Sequence, residues 1–229
     1  MNPVENPYVG RYRYLPRRRG VWRAIAKYVA RDVGPVESVL ELGPGFCDFI
    51  NQFPASRKIA IDINPQMRAF AAREVDFRLG DAAQLPGIAE QSLDLVFASN
   101  FLEHLTLRQA GRLLGRVRRA LRPGGRLALL QPNFRLCPTR YFVDPTHRTV
   151  FSEGNLANLL LARGFRPLRI VPGLLPFSMR SRLPQWYPLV RAYLALPIRP
   201  FAAQMYLVAT PEPAFDAAGT QGGGRHLEG

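Results

Sequence analysis

Apolar and polar positions along this chain change period again and again, and the changes divide it into elements. Runs at 36–42 (VESVLEL), 57–63 (RKIAIDI), 76–80 (DFRLG), 93–99 (LDLVFAS) and 125–131 (GRLALLQ) are short, rich in strand formers and largely apolar. Continuous apolar character, rather than strict alternation, is what a strand buried on both faces requires. Between these runs the period lengthens to that of a helix at 47–53 (CDFINQF), 65–75 (PQMRAFAAREV) and 108–121 (RQAGRLLGRVRRAL). Upstream, Trp22, Ile25, Ala26 and Val29 share one helical face that Gly34 and Pro35 bring to an end. Strand and helix in alternation predict a parallel sheet covered on both faces, an α/β architecture. Downstream, Ser152 stands as a cap before a helical stretch, Gly164 ends it, and residues 165–171 read as a strand.

In such a sheet, ligands bind beyond the carboxyl ends of the strands, next to the first crossover. The stretch VLELGPGFCDFI at 39–50 lies there. Gly43 and Gly45 permit a tight turn and a close backbone approach, which suits a nucleotide. The dinucleotide fingerprint asks for a third glycine at position 48, so that a pyrophosphate can sit on the helix N-terminus. Asp48 occupies that position. With Glu41 it places two acids around the turn, a better match to a ligand carrying an ammonium and a sulfonium than to a diphosphate.

Taken in order and spacing, VLELGPGFCDF, IAIDINP, RLGDAAQLP, SLDLVFASNFLEHL and LRPGGRLAL resemble the successive motifs of the class I S-adenosylmethionine-dependent methyltransferases, type 11-like, over about residues 36–171. The resemblance implies a doubly wound seven-stranded, mostly parallel Rossmann-like sheet whose antiparallel last strand residues 202–210 supply, with S-adenosylmethionine as cofactor. It further implies that Glu41, Gly43 and Gly45 shape the pocket for the methionine end. Asp62, followed by Ile63, is expected to accept the ribose hydroxyls, Asp81 with the backbone of Ala82 to read the adenine edge, and Ser99 and Asn100 to border the reacting methyl. Cys47 stands where the family commonly has a third glycine. Asp81 also fits a cap, and Asp94, at the opposite edge of its strand, fits a structural role.

Acceptor recognition falls to the remainder. The loop 132–151 is long for a compact domain, and such loops usually carry function. His147 within it is the expected proton acceptor for a hydroxyl nucleophile, with Asp144 to orient it and His104 as the other candidate. The insertion 172–201 is interrupted by Pro184, Pro188, Arg191, Pro197, Arg199 and Pro200 and so does not span a bilayer. Trp186, Leu189, Val190, Tyr193 and Leu194 recur at helical spacing beside Arg180, Arg182, Arg191 and Arg199. That pattern fits either an interfacial helix on anionic lipid or a helix packed on the sheet.

Of 229 residues 47% are hydrophobic, enough for one domain with a full core, here 21–210, preceded by a basic arm at 1–20 and followed by a tail at 211–229 expected to be disordered. The net charge of +14 points to an anionic partner, nucleic acid or membrane. All the cations except Lys27 and Lys58 are arginine, which a GC-rich coding sequence produces equally well. SNFL at 99–102 replaces the N/D-P-P-Y/F motif with which relatives methylate base amino groups, so a small-molecule or glycan acceptor, lipid-linked and met at the membrane surface, is the leading expectation. The alternatives are an RNA modifier and a non-catalytic adenosylmethionine binder. No metal-ligand spacing is evident, the two separated cysteines fit a reducing cytoplasm, and the absence of a signal-peptide pattern fits a cytoplasmic protein that touches the inner membrane face.

Overall fold

The computed structural model describes residues 14–176 and 186–212. Seven strands form one sheet: β1 (Ser38–Leu42), β2 (Arg57–Asp62), β3 (Val75–Leu79), β4 (Leu93–Ser99), β5 (Leu121–Pro132), β6 (Phe165–Pro176) and β7 (Ala202–Pro211). Their spatial order is β3-β2-β1-β4-β5-β7-β6. β3, β2, β1, β4 and β5 pair in parallel, and β7 runs antiparallel between β5 and β6. The chain reverses its walk between β3 and β4, so β1 and β4 lie side by side at the switch point, beyond whose carboxyl ends sheets of this kind bind their ligands.

Both faces of the sheet are covered, as continuous apolar strands demand. On one face α2 (Leu107–Ala120) and α4 (Glu153–Leu161) bury Leu113, Leu114, Val117, Leu156 and Leu160 against Leu40, Leu42, Val96 and Leu129. On the other, α1 (Arg18–Val33) sets Trp22, Ile25 and Val29 against Val39, Leu95, Phe97 and Phe49. The ring of Phe49 stacks on Phe97 at 3.7 Å between centroids. Two further helices, α3 (Pro138–Tyr141) and α5 (Tyr187–Ala195), lie in the loop 132–151 and in the insertion. α2 and α4 both open on a capping box, Thr106 with Gln109 and Ser152 with Asn155, which satisfies their first amides.

Several expected elements differ. α1 starts at Arg18 instead of Val21. Residues 47–53 form consecutive turns with mixed spacing, Cys47 N to Pro44 O and Gln52 N to Phe49 O beside Asn51 N to Cys47 O. The cause is the buried carboxylate of Glu41, which takes the Ile50 amide at 3.0 Å and pulls the segment onto β1. The helix expected at 65–75 shrinks to a 3₁₀ turn, Pro65–Phe70, because Asn51 captures its far end: its amide donates to Phe70 O and its carbonyl accepts from Ala72 N. β5 and β6 are both longer than the expected 125–131 and 165–171. The arm up to residue 13, residues 177–185 with Arg180, Arg182 and Pro184, and the tail from 213 lie outside the described residues.

Asp94 has the structural role its position suggested. It receives hydrogen bonds from Glu37 N, Ser38 N and Ser38 Oγ, and pairs with Arg122, so it locks the start of β1 to the start of β4. Asp94→Ala is expected to cost about 2 kcal/mol, read as a lower urea midpoint with unchanged slope. Burial raises the Asp94 carboxyl, but the bonds from Ser38 outweigh it and hold the group below the ordinary carboxylate range. Its contribution is therefore present above that range and is lost as pH falls through the folded value, so the variant's deficit should shrink in acid.

Candidate functional site

The candidate site is built on the glycine turn between β1 and residues 47–53. Gly43 has φ +61° and donates to Ile61 O at 2.9 Å, tying the turn to β2. A Cβ on Gly43 would lie 2.7 Å from Cδ2 of Phe101, whose ring is laid across this position. Gly45 has φ +53°, and a Cβ there would meet nothing within 4 Å, so the backbone faces open space at the point where a ligand would lie. Cys47, also in the left-handed region at φ 55°, accepts the strain that the missing third glycine would have relieved.

Asp62, at the end of β2, is nearly buried, and its Oδ2 accepts from Gly45 N at 3.1 Å while Oδ1 accepts from Asn64 N at 2.8 Å. One carboxylate thus fixes both the glycine turn and the turn after β2. Burial raises its pKa against those amide bonds. Asp81, exposed, accepts from Ala83 N at 2.9 Å and from the Gln84 side chain, closing a turn beside buried Ala82. Aromatic rings border the cradle on the arm side: Tyr14, Phe46 and Phe70 pack edge to face or tilted within 5.3 Å, with the Arg18 guanidinium over Phe46.

Two acids expected to face a cationic ligand are engaged elsewhere. The fully buried Glu41 carboxyl is spent on Ile50 N, and desolvation pushes its pKa well up, with Asp48 and Asp62 adding to the rise. Asp48, 5% exposed, pairs with Arg18 Nε at 2.9 Å. Glu41 and Asp48 therefore shape the turn through the backbone and α1. Asp62 is the acid whose carboxylate bonds the open backbone itself, at Gly45 N.

At the next strand end, Ser99 and Asn100 close β4. Asn100, at φ 47°, donates to Ser99 Oγ at 3.0 Å and accepts from Gln204 of β7 at 2.7 Å. Buried Gln131 accepts from Phe101 N and donates to Ala98 O, which sets the ring of Phe101 over Gly43. Asn133 anchors the root of the loop 132–151 through Glu153 and Pro172 O.

The tip of that loop folds back onto the 3₁₀ turn Leu102–His104. Glu103 O accepts from Arg148 N at 2.7 Å and Thr149 N at 3.2 Å, and Thr149 Oγ1 donates to Leu105 O. This brings His147 to within 3.9 Å of Glu103 Oε1 and 3.8 Å of Asp144 Oδ2, with its side chain 4% exposed. The His104 and His147 rings are 5.0 Å apart, and Tyr141 closes the other side at the same distance. His104 Nδ1 lies 2.9 Å from Thr146 Oγ1, which donates to Asp144 Oδ1 at 2.6 Å. Asp144 thus reaches His104 through Thr146 while its other oxygen lies 3.8 Å from His147, the residue that the sequence expectation paired it with. Glu103 is wholly buried, and desolvation pushes it up to about 8.

With this geometry in place, likeness to known proteins is informative. A family model described as a methyltransferase domain matches residues 40–129, from β1 through the glycine turn into β5. A crystal structure of an S-adenosylmethionine-dependent methyltransferase from Archaeoglobus fulgidus superimposes with TM-score 0.63 at 20% identity, over 85% of this chain and 94% of that one. One from Thermotoga maritima gives 0.65 at 19% identity, over 86% and 92%. Residues 40–129 thus match a methyltransferase domain, and the sheet has the class I S-adenosylmethionine-dependent methyltransferase fold. A curated relative, an uncharacterized 37.1 kDa protein in a transposon of Streptomyces fradiae, is 30% identical over 166 residues. That match covers 62% of this chain and 47% of the relative, so the chain spans about half the length of the curated relative it matches.

Within this class I methyltransferase fold, the expected residues fall into two groups. Glu41, Gly43, Gly45, Asp62, Ile63, Asp81, Ala82, Ser99 and Asn100 lie at or just beyond the carboxyl ends of β1 to β4, while His104 and His147 meet beyond β4. Phe101, Gln131, Gln204 and Thr146 escaped the sequence reading. Phe101 was visible only as one apolar residue after Asn100, and nothing local signals that Gln131 and Gln204 meet Phe101 and Asn100 across the sheet.

Proposed function

We propose that this protein transfers the methyl group of S-adenosylmethionine to a hydroxyl of a small-molecule or glycan acceptor. The observation that carries this reading is the pairing of Asp62 with the amide of Gly45, a nearly buried carboxylate beside a backbone that faces open space. In it, Gly43 and Gly45 give the methionine end close backbone approach, and Asp62 with Ile63 receives the ribose. Asp81 and Ala82 border the adenine, and Ser99 and Asn100 face the reacting methyl. The sulfonium is already an activated leaving group, so alignment does most of the work. His104 and His147 together form the proton-accepting centre.

The experiment is methyl transfer from labelled S-adenosylmethionine, tested separately against glycan, lipid and RNA fractions. Label in the glycan or lipid fraction supports the reading. Label confined to RNA favours the nucleic-acid alternative, and cofactor binding without label in any fraction favours a non-catalytic binder. On the acceptor so found, His147→Gln is expected to lower turnover by about 10² or more with cofactor affinity unchanged. A fall of less than about threefold contradicts the proton-accepting role.

A lipid-linked acceptor is supported by the surface around α5. The helical face expected there splits: Leu194 is buried and Val190 and Tyr193 pack inward, whereas Trp186 and Leu189 point out at 72% and 47% exposure. Ile198 and Phe201 are exposed at 83% and 85%, and Arg23 and Lys27 of α1 lie over Tyr187. Apolar tips amid cations fit the interface of an anionic bilayer. None of the described helices is long and apolar enough to cross a membrane. The protein is expected to float with anionic vesicles, to release at high salt, and to bind less after Trp186→Ser with Phe201→Ser. Equal recovery on neutral vesicles, or none on either, contradicts the membrane contact.

A further inference from the structure

Two segments 43 residues apart at their closest, His104 to His147, bring Glu103, His104 and His147 together so that one ligand atom of each lies within 4.8 Å of the other two. Among the described residues no hydrogen bond reaches either carboxylate oxygen of Glu103, although the side chain is wholly buried. An ionised carboxylate is costly in such a place unless a positive charge sits against it. The nearest cationic candidate, His147 Nε2 at 3.9 Å, is beyond hydrogen-bond reach of Oε1. That separation is close to what two ligands of a shared ion keep, since metal distances of about 2.0 to 2.2 Å at a tetrahedral angle put ligand atoms roughly 3.4 Å apart.

Beyond the reading of the cluster as a proton-accepting centre, we propose that Glu103, His104 and His147 bind a divalent transition-metal ion, zinc foremost. Two imidazoles and one carboxylate form a donor set of borderline softness, unlike the all-oxygen shells of magnesium and calcium. A metal-bound imidazole usually has its second nitrogen held by a carboxylate or hydroxyl, and the chain from His104 Nδ1 to Thr146 Oγ1 to Asp144 Oδ1 provides that support. With Nδ1 so engaged, Nε2 of His104 is the ligand atom. Through Glu103 O, which accepts from Arg148 N and Thr149 N, the ion would also clamp the acceptor loop to the end of β4. Three protein ligands leave one position on a tetrahedral ion, where a hydroxyl or water is made acidic.

The test is titration of the metal-free full chain with zinc chloride by calorimetry, and with cobalt(II) by visible absorption. One equivalent of zinc, a melting temperature raised by several degrees and tetrahedral cobalt bands are expected. Glu103→Gln, which keeps the shape of the buried side chain, and His104→Gln should each weaken zinc binding at least about tenfold. The third histidine of the chain, His226, is controlled by the His104→Gln/His147→Gln double variant, which should lose the tight site. Absence of tight zinc binding, zinc affinity unmoved in all three variants, or binding of magnesium as tightly as zinc overturns the site. The titration contains neither cofactor nor acceptor, so its failure leaves the methyl-transfer reading standing, and zinc binding without methyl transfer counts against that reading alone.

Discussion

Asp62→Ala is expected to weaken S-adenosylmethionine binding by at least tenfold, and up to about a hundredfold, while lowering the melting temperature by a few degrees. The affinity loss follows from charged hydrogen bonds to the ribose diol, worth roughly 1.5 to 3 kcal/mol. The stability loss follows because the same carboxylate accepts from Gly45 N and Asn64 N. Both amides lose their acceptor at once, and the turn that shapes the cradle loosens with them. Calorimetry reads the first effect and a thermal melt the second. Asp62→Asn separates the two, since an amide oxygen still accepts from one backbone N–H but carries no charge: it should recover much of the stability and little of the affinity. Unchanged affinity in both variants would remove Asp62 from the cofactor site.

Gly43→Ala is expected to have the largest effect on the cradle. A side chain at φ +61° costs about 1 to 2 kcal/mol, and the new Cβ would lie 2.7 Å from the ring of Phe101. The ring is not a flexible tip, because the Phe101 amide is fixed by Gln131 and the ring enters the turn from the end of β4. Strain and displacement together should lower the melting temperature by about 4 to 8 °C and bring cofactor binding below detection. The double variant Gly43→Ala/Phe101→Ala tests the cause. If the clash dominates, removing the ring recovers part of the stability that Gly43→Ala loses, a coupling that independent sites would not show. Additive losses would assign the whole effect to the backbone.

The strands were readable in the sequence because burial on both faces leaves them apolar from end to end, and the reversal of the last strand came with the motif resemblance. The helices after β1 and β2 were not. There the local period is overridden by single polar side chains acting over 9 to 21 residues, Glu41 on Ile50 N and Asn51 on Phe70 O and Ala72 N. The same physics hid the duties of Glu41 and Asp48. Their acidity was plain, but their partners, an amide of the following turn and Arg18 of α1, exist only in the folded chain. FLEHL and DPTHRT each stood out. Their union did not, because it depends on Glu103 O holding Arg148 and Thr149. On α5 the helical spacing was correct, and packing of α1 on one side divided the face it defined.

The central claim is that the turn from Gly43 to Gly45, closed by Asp62, holds S-adenosylmethionine. Calorimetric titration of the full chain with S-adenosylmethionine, S-adenosylhomocysteine and NAD tests it most directly. Saturable binding of the first two at one equivalent, with no heat from NAD, is the predicted result. Saturable binding of NAD, or of none of the three, would contradict the claim.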